Sequence, residues 1–514
     1  MAHSLFARKP VSMLLDEVHG DNRLRRVLGP LQLTSLGIGA VIGAGIFVST
    51  GAVARQTAGP ALMLSYTVAG LACVFAALCY AEFASMVPAA GSAYTYAYAT
   101  LGELLAWIIG WDLVLEYAVS SATVATGWSG YFQSLLGAFG LHLPPALAGP
   151  AIDYDPALGR LVATGAWLNL PALAATAAVT VILILGIRES AGLNTVLVAL
   201  KLSAVLFVIG VGAFYVDPRN WRPFAPYGYG GLTAFGHMLL GQADAGGRPL
   251  GMLAGAALAF FAYIGFDSVS THAEEARRPT RDVPIGLISS LVLCTLLYVG
   301  VVAVLTGMVP YGQLDVAAPV ADAFGRVGLR WAQVLLALAG VAGIASVMLV
   351  TMLSQARVLL AIARDGLLPR SFFGAVHPRF RTPWKSTLVT GVFVGALAAF
   401  LPINVLLTLV NMGTLFAFVV VCAAVLVMRR RHPELHRPFR APLFPLVPIL
   451  GILSGLLLMF SLPPENWLRL VVWAAIGLVI YFGYGRRRSI LAGLDAVPEP
   501  STISRSSSRA TSAP

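Results

Sequence analysis

Four glycines lie within nine residues in the middle of a long apolar run, at Gly37, Gly39, Gly43 and Gly45. Each glycine inside a helix is less favourable than alanine by about 1 kcal/mol, so the cluster predicts an unwound stretch over Ile42–Gly45. Unwound backbone leaves N–H donors and C=O acceptors without helical partners. In apolar surroundings those groups need partners, which makes the stretch a candidate binding site for a small polar molecule.

Two other interpretations of the glycine cluster compete with unwinding. A phosphate-binding loop of the Rossmann type requires a preceding strand and a surrounding β-α-β unit, and the flanking sequence has neither. Close helix packing through a G-x-x-x-G, here Gly39 and Gly43, stays open. The four glycines point in several directions rather than along one helix face, and this favours unwinding.

A second interruption is predicted within residues 260–271, FFAYIGFDSVST, where Gly265 and Asp267 stand in the middle of another apolar run. Half-helix N-termini suit a carboxylate, and exposed carbonyls suit an ammonium group. Two interruptions side by side therefore favour a zwitterionic α-amino acid as the ligand. Interruptions at corresponding places in two halves of a chain are typical of transporters.

Lys201 lies within an otherwise apolar run, although a charge inside the bilayer is costly and usually marks an ion or proton pathway. The chain has three lysines, and arginine provides its other basic side chains. An arginine keeps its proton, whereas a desolvated lysine can release one. The sequence therefore predicts proton coupling through Lys201. The alternative is a fixed cation that is hydrogen-bonded to carbonyls of a helix break.

Four further polar residues inside apolar runs are candidates for auxiliary roles. Glu116 is predicted to attract a cationic substrate or to tune Lys201, or else to pack against polar neighbours. Asp267 is predicted to cap or brace the second interruption, with gating as the alternative. Ser121 and Thr351 are candidates for the lining of a side-chain pocket, and helix packing explains them equally well.

The overall composition places these residues in a membrane protein. Of the 514 residues, 58% are hydrophobic and 11% are charged, against about 25% charged in soluble domains. The net charge of +11 is concentrated after apolar runs, for example at Arg429–Arg431, so a nucleic-acid partner is not expected. The sequence shows no metal-ligand spacing and no nucleophile–base pattern, and we expect neither an enzyme nor a cofactor or metal.

About twelve apolar runs are long enough to cross a bilayer. An N-terminus placed inside gives about a threefold excess of lysine and arginine on the cytoplasmic side, as the positive-inside rule expects. Both termini are then cytoplasmic. The predicted spans are 32–57, 61–87, 98–133, 170–188, 191–216, 251–273, 284–309, 331–362, 384–400, 404–428, 443–461 and 467–485.

Four stretches resemble the amino acid–polyamine–organocation transporter superfamily, and most closely its cationic-amino-acid-transporter branch. They are GIGAVIGAGIF (37–47), AGSAYTYAYATLGELLAWIIGWDLVLEYAV (90–119), FFAYIGFDSVSTHAEEARRPTRDVPIGLI (260–288) and ARDGLLP (363–369). The resemblance runs from about residue 30 to 485. It implies an all-α membrane protein with a 5+5 inverted-repeat core of the leucine-transporter type, discontinuous helices 1 and 6, and two peripheral helices.

The implied organisation has five parts along the chain. They are a cytoplasmic tail (1–30), the first repeat with helices 1–5 (31–216), the second repeat with helices 6–10 (217–430), peripheral helices 11–12 (431–488) and a disordered cytoplasmic tail (489–514).

The resemblance also implies roles for residues at the two interruptions. The substrate carboxylate is expected on the backbone amides of Gly43, Ala44 and Gly45. The ammonium is expected on carbonyls near Val41, Ile42, Phe261 and Ile264. Phe261 is expected to cover the ligand, with packing in the core or against lipid as the alternative. In the resembling branch a lysine at the position of Lys201 occupies the place where sodium-coupled relatives bind a cation.

The predicted function is secondary transport of L-amino acids across the plasma membrane of a bacterium, with protons as the coupling partner. An amino acid exchanger is the alternative within the same class. A membrane sensor that binds without carrying is a third hypothesis, although the sequence offers no soluble signalling domain. The expected partners are an amino acid, protons and the lipid bilayer, and a small single-span accessory peptide is left open.

Overall fold

The computed structural model describes residues 5–9, 28–86, 92–155, 158–186, 191–234, 237–271 and 276–491. Most of the predicted terminal tails, and residues 90–91 and 272–275 of the family-like stretches, lie outside these ranges. The chain is mostly helical. The α-helices are Pro30–Val41, Thr50–Val53, Leu62–Met86, Ser92–Thr100, Glu103–Ala138, Leu170–Leu185, Ala191–Gly212, Met252–Ala259, Ser268–Thr271, Pro279–Met308, Pro319–Arg326, Arg330–Arg364, Arg370–Phe373, Trp384–Phe400, Ile403–Arg431, Leu446–Met459, Pro464–Ile480 and Arg486–Arg488.

Seven helical stretches of the described residues are long and apolar enough to cross a membrane, judged by length and composition. They are Pro30–Met86, Glu103–Ala138, Val196–Tyr215, Pro279–Met308, Arg330–Arg364, Ile403–Arg431 and Pro464–Arg488. Four shorter apolar helical stretches are Leu170–Leu185, Met252–Tyr263, Trp384–Phe400 and Leu446–Met459. Because the first two predicted spans overlap Pro30–Met86, each of the twelve predicted spans overlaps helical structure within the described residues.

Many large apolar side chains on these helices are exposed, among them Val181, Leu206, Leu296 and Val392. A soluble monomer rarely leaves contiguous apolar surface of this kind exposed. The chain is a multi-pass membrane protein, and lipid is the environment that such a surface requires.

The predicted span 98–133 differs from the structure in its bounds. The structure has two helices here, Ser92–Thr100 and Glu103–Ala138, which are separated at Gly102. Gly102 has a φ of +106°, a backbone conformation that glycine adopts far more readily than other residues. The helix after this turn then continues to Ala138, five residues beyond the predicted end.

In the part of the chain that the structure describes, three antiparallel hairpins lie in the connections between helices, and the all-α prediction missed them. They pair Ile152–Asp155 with Arg160–Ala163, Leu232–Ala234 with His237–Leu240, and Gln242–Ala243 with Pro249–Leu250. In the first hairpin Ile152 lies opposite Ala163 and Asp155 opposite Arg160. Strands of two to four residues carry too little alternating pattern to be recognised from sequence.

The core is organised by pairs of long helices. Glu103–Ala138 packs along Arg330–Arg364, Leu62–Met86 packs along Pro279–Met308, and Leu170–Leu185 packs along Trp384–Phe400. The helix Pro30–Val41 also lies against Pro279–Met308. These pairs enclose the two glycine-containing segments and hold them at the centre of the bundle.

Candidate functional site

The first helix is interrupted where the glycine cluster predicts it. The α-helix Pro30–Val41 ends with Ile42 in an extended conformation, at φ −73° and ψ 105°. Helical backbone resumes with the π-helical turn Gly45–Ser49 and continues through Thr50–Val53. The N–H groups at the start of a new helical run have no partner in the preceding turn. Gly43, Ala44 and Gly45 therefore lie where backbone donors are available to an anion.

The second interruption lies within the predicted stretch as well. The helix Met252–Ala259 continues as a 3₁₀ turn, Phe260–Tyr263, and Ile264 is then extended with ψ 130°. Gly265 has a φ of +111°, which strongly favours glycine. A Cβ on Gly265 would also lie 3.0 Å from the carbonyl oxygen of Ala40. This glycine therefore turns the chain and lets the second interruption approach the first helix.

The two interruptions touch each other. A Cβ on Gly45 would lie 2.2 Å from the Cα of Ala262, so only glycine permits this approach of the two backbones. A Cβ on Gly43 would lie 2.4 Å from Cγ2 of Val347, on the helix Arg330–Arg364. The sequence predicts two breaks, and the structure brings them into contact beside a third helix.

Tyrosine hydroxyls bind carbonyls of both interruptions, and the sequence analysis did not identify these tyrosines. The hydroxyl of Tyr298 lies 2.8 Å from the carbonyl oxygen of Val41 and 3.1 Å from that of Ala262. Tyr66 donates to the carbonyl of Gly45 over 3.1 Å. A buried tyrosine usually needs a partner for its hydroxyl. A tyrosine within an apolar span is therefore the feature of the sequence that could have identified these residues.

Two further side chains bind carbonyls close to the interruptions. Tyr131 donates to the carbonyl of Phe47 over 2.6 Å, and Asn411 donates to that of Ala257 over 2.8 Å. Each bond offsets part of the free-energy cost of backbone groups that lack helical partners in apolar surroundings. The breaks are therefore held by neighbouring helices.

Lys201 is 1% exposed, and its Nζ donates to the carbonyl oxygen of Gly39 over 2.8 Å. A Cβ on Gly343 would lie 3.3 Å from Cγ of Lys201. The side chain therefore connects its own helix to the end of Pro30–Val41 and to Arg330–Arg364. Gly39 lies inside the helix Pro30–Val41, three residues before the break at Ile42.

Ser121 and Thr351 meet across the helix pair Glu103–Ala138 and Arg330–Arg364. The Ser121 hydroxyl donates to Oγ1 of Thr351 over 2.9 Å, and both residues are buried. Phe261 lies in the second interruption and is 5% exposed. Val347 is one turn before Thr351 on its helix and contacts Gly43, so this hydroxyl pair belongs to the helix face that borders the first break.

Glu116 contacts the helix Ile403–Arg431, and Asp267 lies beside Tyr117. Glu116 accepts a 2.8 Å hydrogen bond from Thr414, and a Cβ on Gly413 would lie 2.6 Å from its Oε2. Asp267 is 5% exposed, and its Oδ2 lies 3.4 Å from the Tyr117 hydroxyl. The carbonyl of Asp267 accepts from the Ser270 backbone over 2.9 Å, as expected for a residue that starts a helical turn.

At one end of the bundle, residues 5–9 pack against the start of Glu103–Ala138 and the segment after Arg364. It is called the inner end here, after the cytoplasmic position that the sequence analysis predicts for the termini. Lys9 and Asp365 form a buried ion pair with a separation of 3.2 Å. Tyr94 donates to the other oxygen of Asp365 over 2.7 Å. Glu103, which is fully buried, accepts from Tyr98 over 2.8 Å and from Tyr481 over 2.9 Å.

The opposite end contains a cavity of about 740 Å³. Its walls include Arg55 at the end of the first helical region, Thr126 on Glu103–Ala138, Asp153 on the first hairpin and Asn404 on Ile403–Arg431. Within the described residues, no group of three or more His, Cys, Asp or Glu side chains is arranged to hold a metal ion.

Comparison with known proteins gives matches along nearly the whole chain. Residues 28–482 match the amino acid permease family. The chain is 46% identical to the methylthioribose transporter of Bacillus subtilis (strain 168) over 488 residues, which are 95% of this chain and 99% of that protein.

Two further relatives carry amino acid names. The branched-chain amino acid permease BcaP of the same bacterium is 46% identical over 492 residues, which are 96% of this chain and 100% of the permease. The vacuolar cationic amino acid transporter 4 of Arabidopsis thaliana is 38% identical over 434 residues, which are 84% of this chain and 68% of that protein.

Proposed function

The chain belongs to the amino acid permease family, and on that premise we propose that it is a secondary transporter that carries small α-amino acids across a bacterial inner membrane. The family resemblance predicted from the sequence is confirmed. Since the family is one of transporters, the chain is not an enzyme. The substrate, its binding residues, the coupling ion and the membrane topology are the content of the proposal.

We propose an architecture of twelve membrane spans with cytoplasmic termini, in which ten of the spans form an inverted repeat. Helix packing supports the repeat. With the spans numbered along the chain, the second packs on the seventh, the third on the eighth and the fourth on the ninth. The breaks in the first and sixth spans also meet, at Gly45 and Ala262. The first four spans of one half thus contact their counterparts in the other half, as expected when two related halves enclose one site.

The observation that carries the proposed function is the contact between the two helix breaks. We infer that the N–H groups of Gly43, Ala44 and Gly45 bind the substrate carboxylate, because they begin a helical run and helix N-termini favour anions. The ammonium would lie on carbonyls of the segments Val41–Ile42 and Phe261–Ile264, in the other half of the same contact. A zwitterion then provides hydrogen-bond partners for the N–H and C=O groups of the breaks, which are costly to leave unpaired in apolar surroundings.

The Val41 carbonyl already accepts a hydrogen bond from Tyr298. A carbonyl oxygen has two lone pairs, so an ammonium can bind beside the tyrosine. The Tyr298 hydroxyl also reaches the Ala262 carbonyl, which offers it a second acceptor if the substrate takes the first. The Tyr298 hydroxyl has one proton and donates to one carbonyl at a time, so it can pair with Ala262 when the substrate takes the Val41 carbonyl.

The substrate side chain would lie against Val347, Ser121 and Thr351, with Phe261 as the cover. Val347 and Met348 make this helix face mainly apolar, and this supports a small or branched aliphatic side chain. The 46% identity to a branched-chain amino acid permease points in the same direction. Methylthioribose is the second candidate, supported by an equally similar relative. It has neither a carboxylate nor an ammonium group to pair with the two breaks.

We propose that Lys201 couples transport to protons. Its bond to the Gly39 carbonyl lies three residues before the first break, so loss of the proton would change a contact that holds this helix. The ammonium form donates up to three hydrogen bonds, and the neutral amine donates fewer and can accept one. Exchange of one amino acid for another uses the same site without net proton movement and is the alternative. A sensor that binds amino acids without transporting them is the less favoured alternative.

Uptake into proteoliposomes tests the proposed function. Purified protein would be supplied with labelled leucine, valine, alanine, arginine and methylthioribose, each with and without an inwardly directed proton gradient. We expect uptake of aliphatic amino acids that the gradient increases. Uptake of methylthioribose alone would overturn the amino acid assignment. Uptake that needs an internal amino acid and ignores the gradient would favour exchange, and binding of amino acids without uptake would favour a sensor.

A further inference from the structure

Two acidic side chains lie one turn apart on the helix Glu103–Ala138. Asp112 is 3% exposed and Glu116 is 1% exposed. A Cβ on Gly413 would lie within 2.6 Å of both Oδ2 of Asp112 and Oε2 of Glu116, so the two oxygens are close to one point. Neither oxygen has a hydrogen-bond partner among the described residues. The two carboxyl groups therefore face each other across the space that this glycine leaves on Ile403–Arg431.

The peripheral helix Pro464–Ile480 brings a positive charge to the same place. Trp111 and Trp473 fix this helix in position, because the indole of each donates to the backbone carbonyl of the other, over 2.9 and 2.8 Å. Arg469 lies one turn before Trp473, and its guanidinium is within electrostatic reach of both carboxyl groups. All three guanidinium nitrogens are buried and lack a hydrogen-bond partner in the part of the chain that the structure describes. The third helix therefore adds a buried positive charge to the acidic pair.

The charges of this cluster do not balance. Two carboxylates and one guanidinium leave one negative charge in excess, which is costly inside an apolar bundle. Like charges four residues apart on a helix also repel each other. One proton on either carboxyl group removes both costs, and the protonated group gains an O–H donor for the facing carboxylate. A sodium ion would also balance the charge, but the guanidinium of Arg469 repels a metal cation.

Arg469 is the charge that the acidic pair faces from another helix. Within the described residues, the other titratable side chains on or beside this part of Glu103–Ala138 have partners elsewhere or are exposed: Tyr117 lies 3.4 Å from Asp267, Tyr94 donates to Asp365, and Arg357 is exposed. The charge balance of the cluster is therefore set by its own three members.

We propose that Asp112 and Glu116 share one proton, which stays in place through the transport cycle and holds Glu103–Ala138 against Ile403–Arg431. The pair positions the second break, whereas Lys201 binds a carbonyl beside the first. The effect of the pair on transport rests on the proposed function. The shared proton itself follows from the packing of three helices and does not depend on a substrate.

The helix Ile403–Arg431 connects the acidic pair to the second break. Thr414 donates to Oε1 of Glu116 over 2.8 Å. Asn411, three residues earlier on the same helix, donates to the carbonyl of Ala257 over 2.8 Å. Loss of the shared proton leaves two facing carboxylates that repel each other. The contact between the two helices then weakens, and the support of the second break weakens with it.

Infrared spectroscopy of the full-length protein in lipid nanodiscs tests the shared proton. A protonated carboxyl group gives a carbonyl stretching band that a carboxylate lacks, and the band shifts in D₂O. We expect Asp112→Asn and Glu116→Gln each to lose one such band at neutral pH, because the remaining carboxylate is balanced by Arg469 and needs no proton. Arg469→Gln should retain the band, because its loss increases the excess of negative charge. Asp217→Asn, at an exposed aspartate, is the matched control and should leave the band unchanged.

Three results would overturn the shared proton. One is an unchanged band in both Asp112→Asn and Glu116→Gln. Another is loss of the band in Arg469→Gln. The third is loss of the wild-type band on addition of sodium chloride at constant pH, which would assign a metal cation to the pair.

The pH profile of exchange tests the positioning role. Exchange of labelled for unlabelled substrate would be measured in Lys201→Gln proteoliposomes with equal pH on both sides, because this lysine position then no longer titrates. We expect exchange to fall by about tenfold for each pH unit above the point at which the pair loses its proton. Adding Asp112→Asn should remove this decline, because the amide keeps a donor for Glu116 at every pH. Adding Asp112→Ala, which provides no donor, should slow exchange at every pH.

The same decline with and without Asp112→Asn would overturn the positioning role, because any titration of the substrate is common to both proteins. The infrared measurement needs no transport. A chain that shows the carboxyl band but takes up and exchanges no amino acid would therefore refute the proposed function and the positioning role, and the shared proton would stand.

Discussion

The two ends of the bundle differ in the side-chain networks that their buried polar groups form. At the inner end Asp365 accepts from Lys9 and Tyr94, and Glu103 accepts from Tyr98 and Tyr481. At the outer end the cavity leaves atoms of Thr126 and Asn404 without a protein partner. Native proteins pair nearly all buried polar groups. Buried atoms without a partner within the described residues occur near both ends, since the hydroxyl of Tyr96, on the same helix as Tyr94 and Tyr98, also lacks one. The inner end is distinguished by the shared network around Asp365 and Glu103.

On the proposed topology, with cytoplasmic termini, the network of Lys9 and Asp365 lies on the cytoplasmic side of the central breaks and the cavity lies on the outer side. If the protein is the proposed carrier, this network must open for release, and its bonds then set part of the barrier between the two states. The following substitutions test the central breaks, then the inner end and its neighbours, in order of decreasing expected effect.

Gly45→Ala should abolish uptake, because the new Cβ would lie 2.2 Å from the Cα of Ala262 and force the two breaks apart. We expect a loss of more than about 100-fold, the effect that misplacement by about 1 Å can have at a reacting or binding centre. Initial uptake rates in proteoliposomes measure it. Gly210→Ala is the control, since a Cβ there meets nothing within 4 Å. Normal uptake by Gly45→Ala would refute the close approach of the breaks.

Lys201→Gln should remove accumulation driven by a proton gradient and retain exchange of labelled for unlabelled substrate. Glutamine can still donate to the Gly39 carbonyl but does not titrate. Lys201→Met loses both properties and should impair exchange as well. Lys385→Gln, at a partly buried lysine at the start of the helix Trp384–Phe400, controls for loss of a positive charge. Undiminished gradient-driven accumulation in Lys201→Gln would show that this lysine is only a structural cation.

Lys9→Gln and Asp365→Asn should each destabilise the closed inner end. Removal of one partner of a buried ion pair costs about 3–5 kcal/mol, and opening of the inner end relieves part of that cost. We expect about tenfold slower net uptake, which corresponds to about 1.4 kcal/mol. The double variant should be no slower than either single one, because the two changes remove one shared contact.

The exposed pair Asp322 and Arg326 provides the control for this experiment. Arg326→Gln removes an ion pair that is worth at most about 1 kcal/mol and should leave uptake unchanged. Strictly additive effects of Lys9→Gln and Asp365→Asn would contradict a direct role of the pair in closure.

Tyr298→Phe should have the smallest effect of the series. It removes the hydroxyl that reaches the carbonyls of Val41 and Ala262, a loss of about 0.5–1.5 kcal/mol. We expect the KM for uptake to rise by roughly three- to tenfold with little change in maximal rate. Tyr229→Phe, at an exposed tyrosine, is the control. An unchanged KM would mean that the hydroxyl does not position the breaks.

The sequence predicts both helix breaks, because glycine clusters and a mid-span acid violate the ordinary pattern of a membrane helix. It does not predict that Gly45 and Ala262 touch, since contact between distant segments depends on the packing of whole helices. Nothing in the sequence distinguishes Tyr298 from any other tyrosine in an apolar run. Its role depends on two carbonyls that lie 257 and 36 residues away in the chain.

The ends of the bundle were less predictable than its centre. The three hairpins use strands too short for a periodic signal, and the contact of Tyr154 with Asp244 joins two different loops. At the inner end, Lys9 belongs to a segment predicted as a tail, yet its side chain pairs with Asp365. Polar contacts between loops leave no local pattern in the sequence. Contacts of this kind lie at both ends of the bundle.

A structure of the chain with its transported amino acid bound tests the central claim most directly. We predict a carboxylate within hydrogen-bond distance of the N–H groups of Gly43, Ala44 and Gly45, and an ammonium on carbonyls of Val41–Ile42 and Phe261–Ile264. Phe261 should cover the ligand. An amino acid that is bound elsewhere, with the two breaks still in contact and empty, would contradict the account.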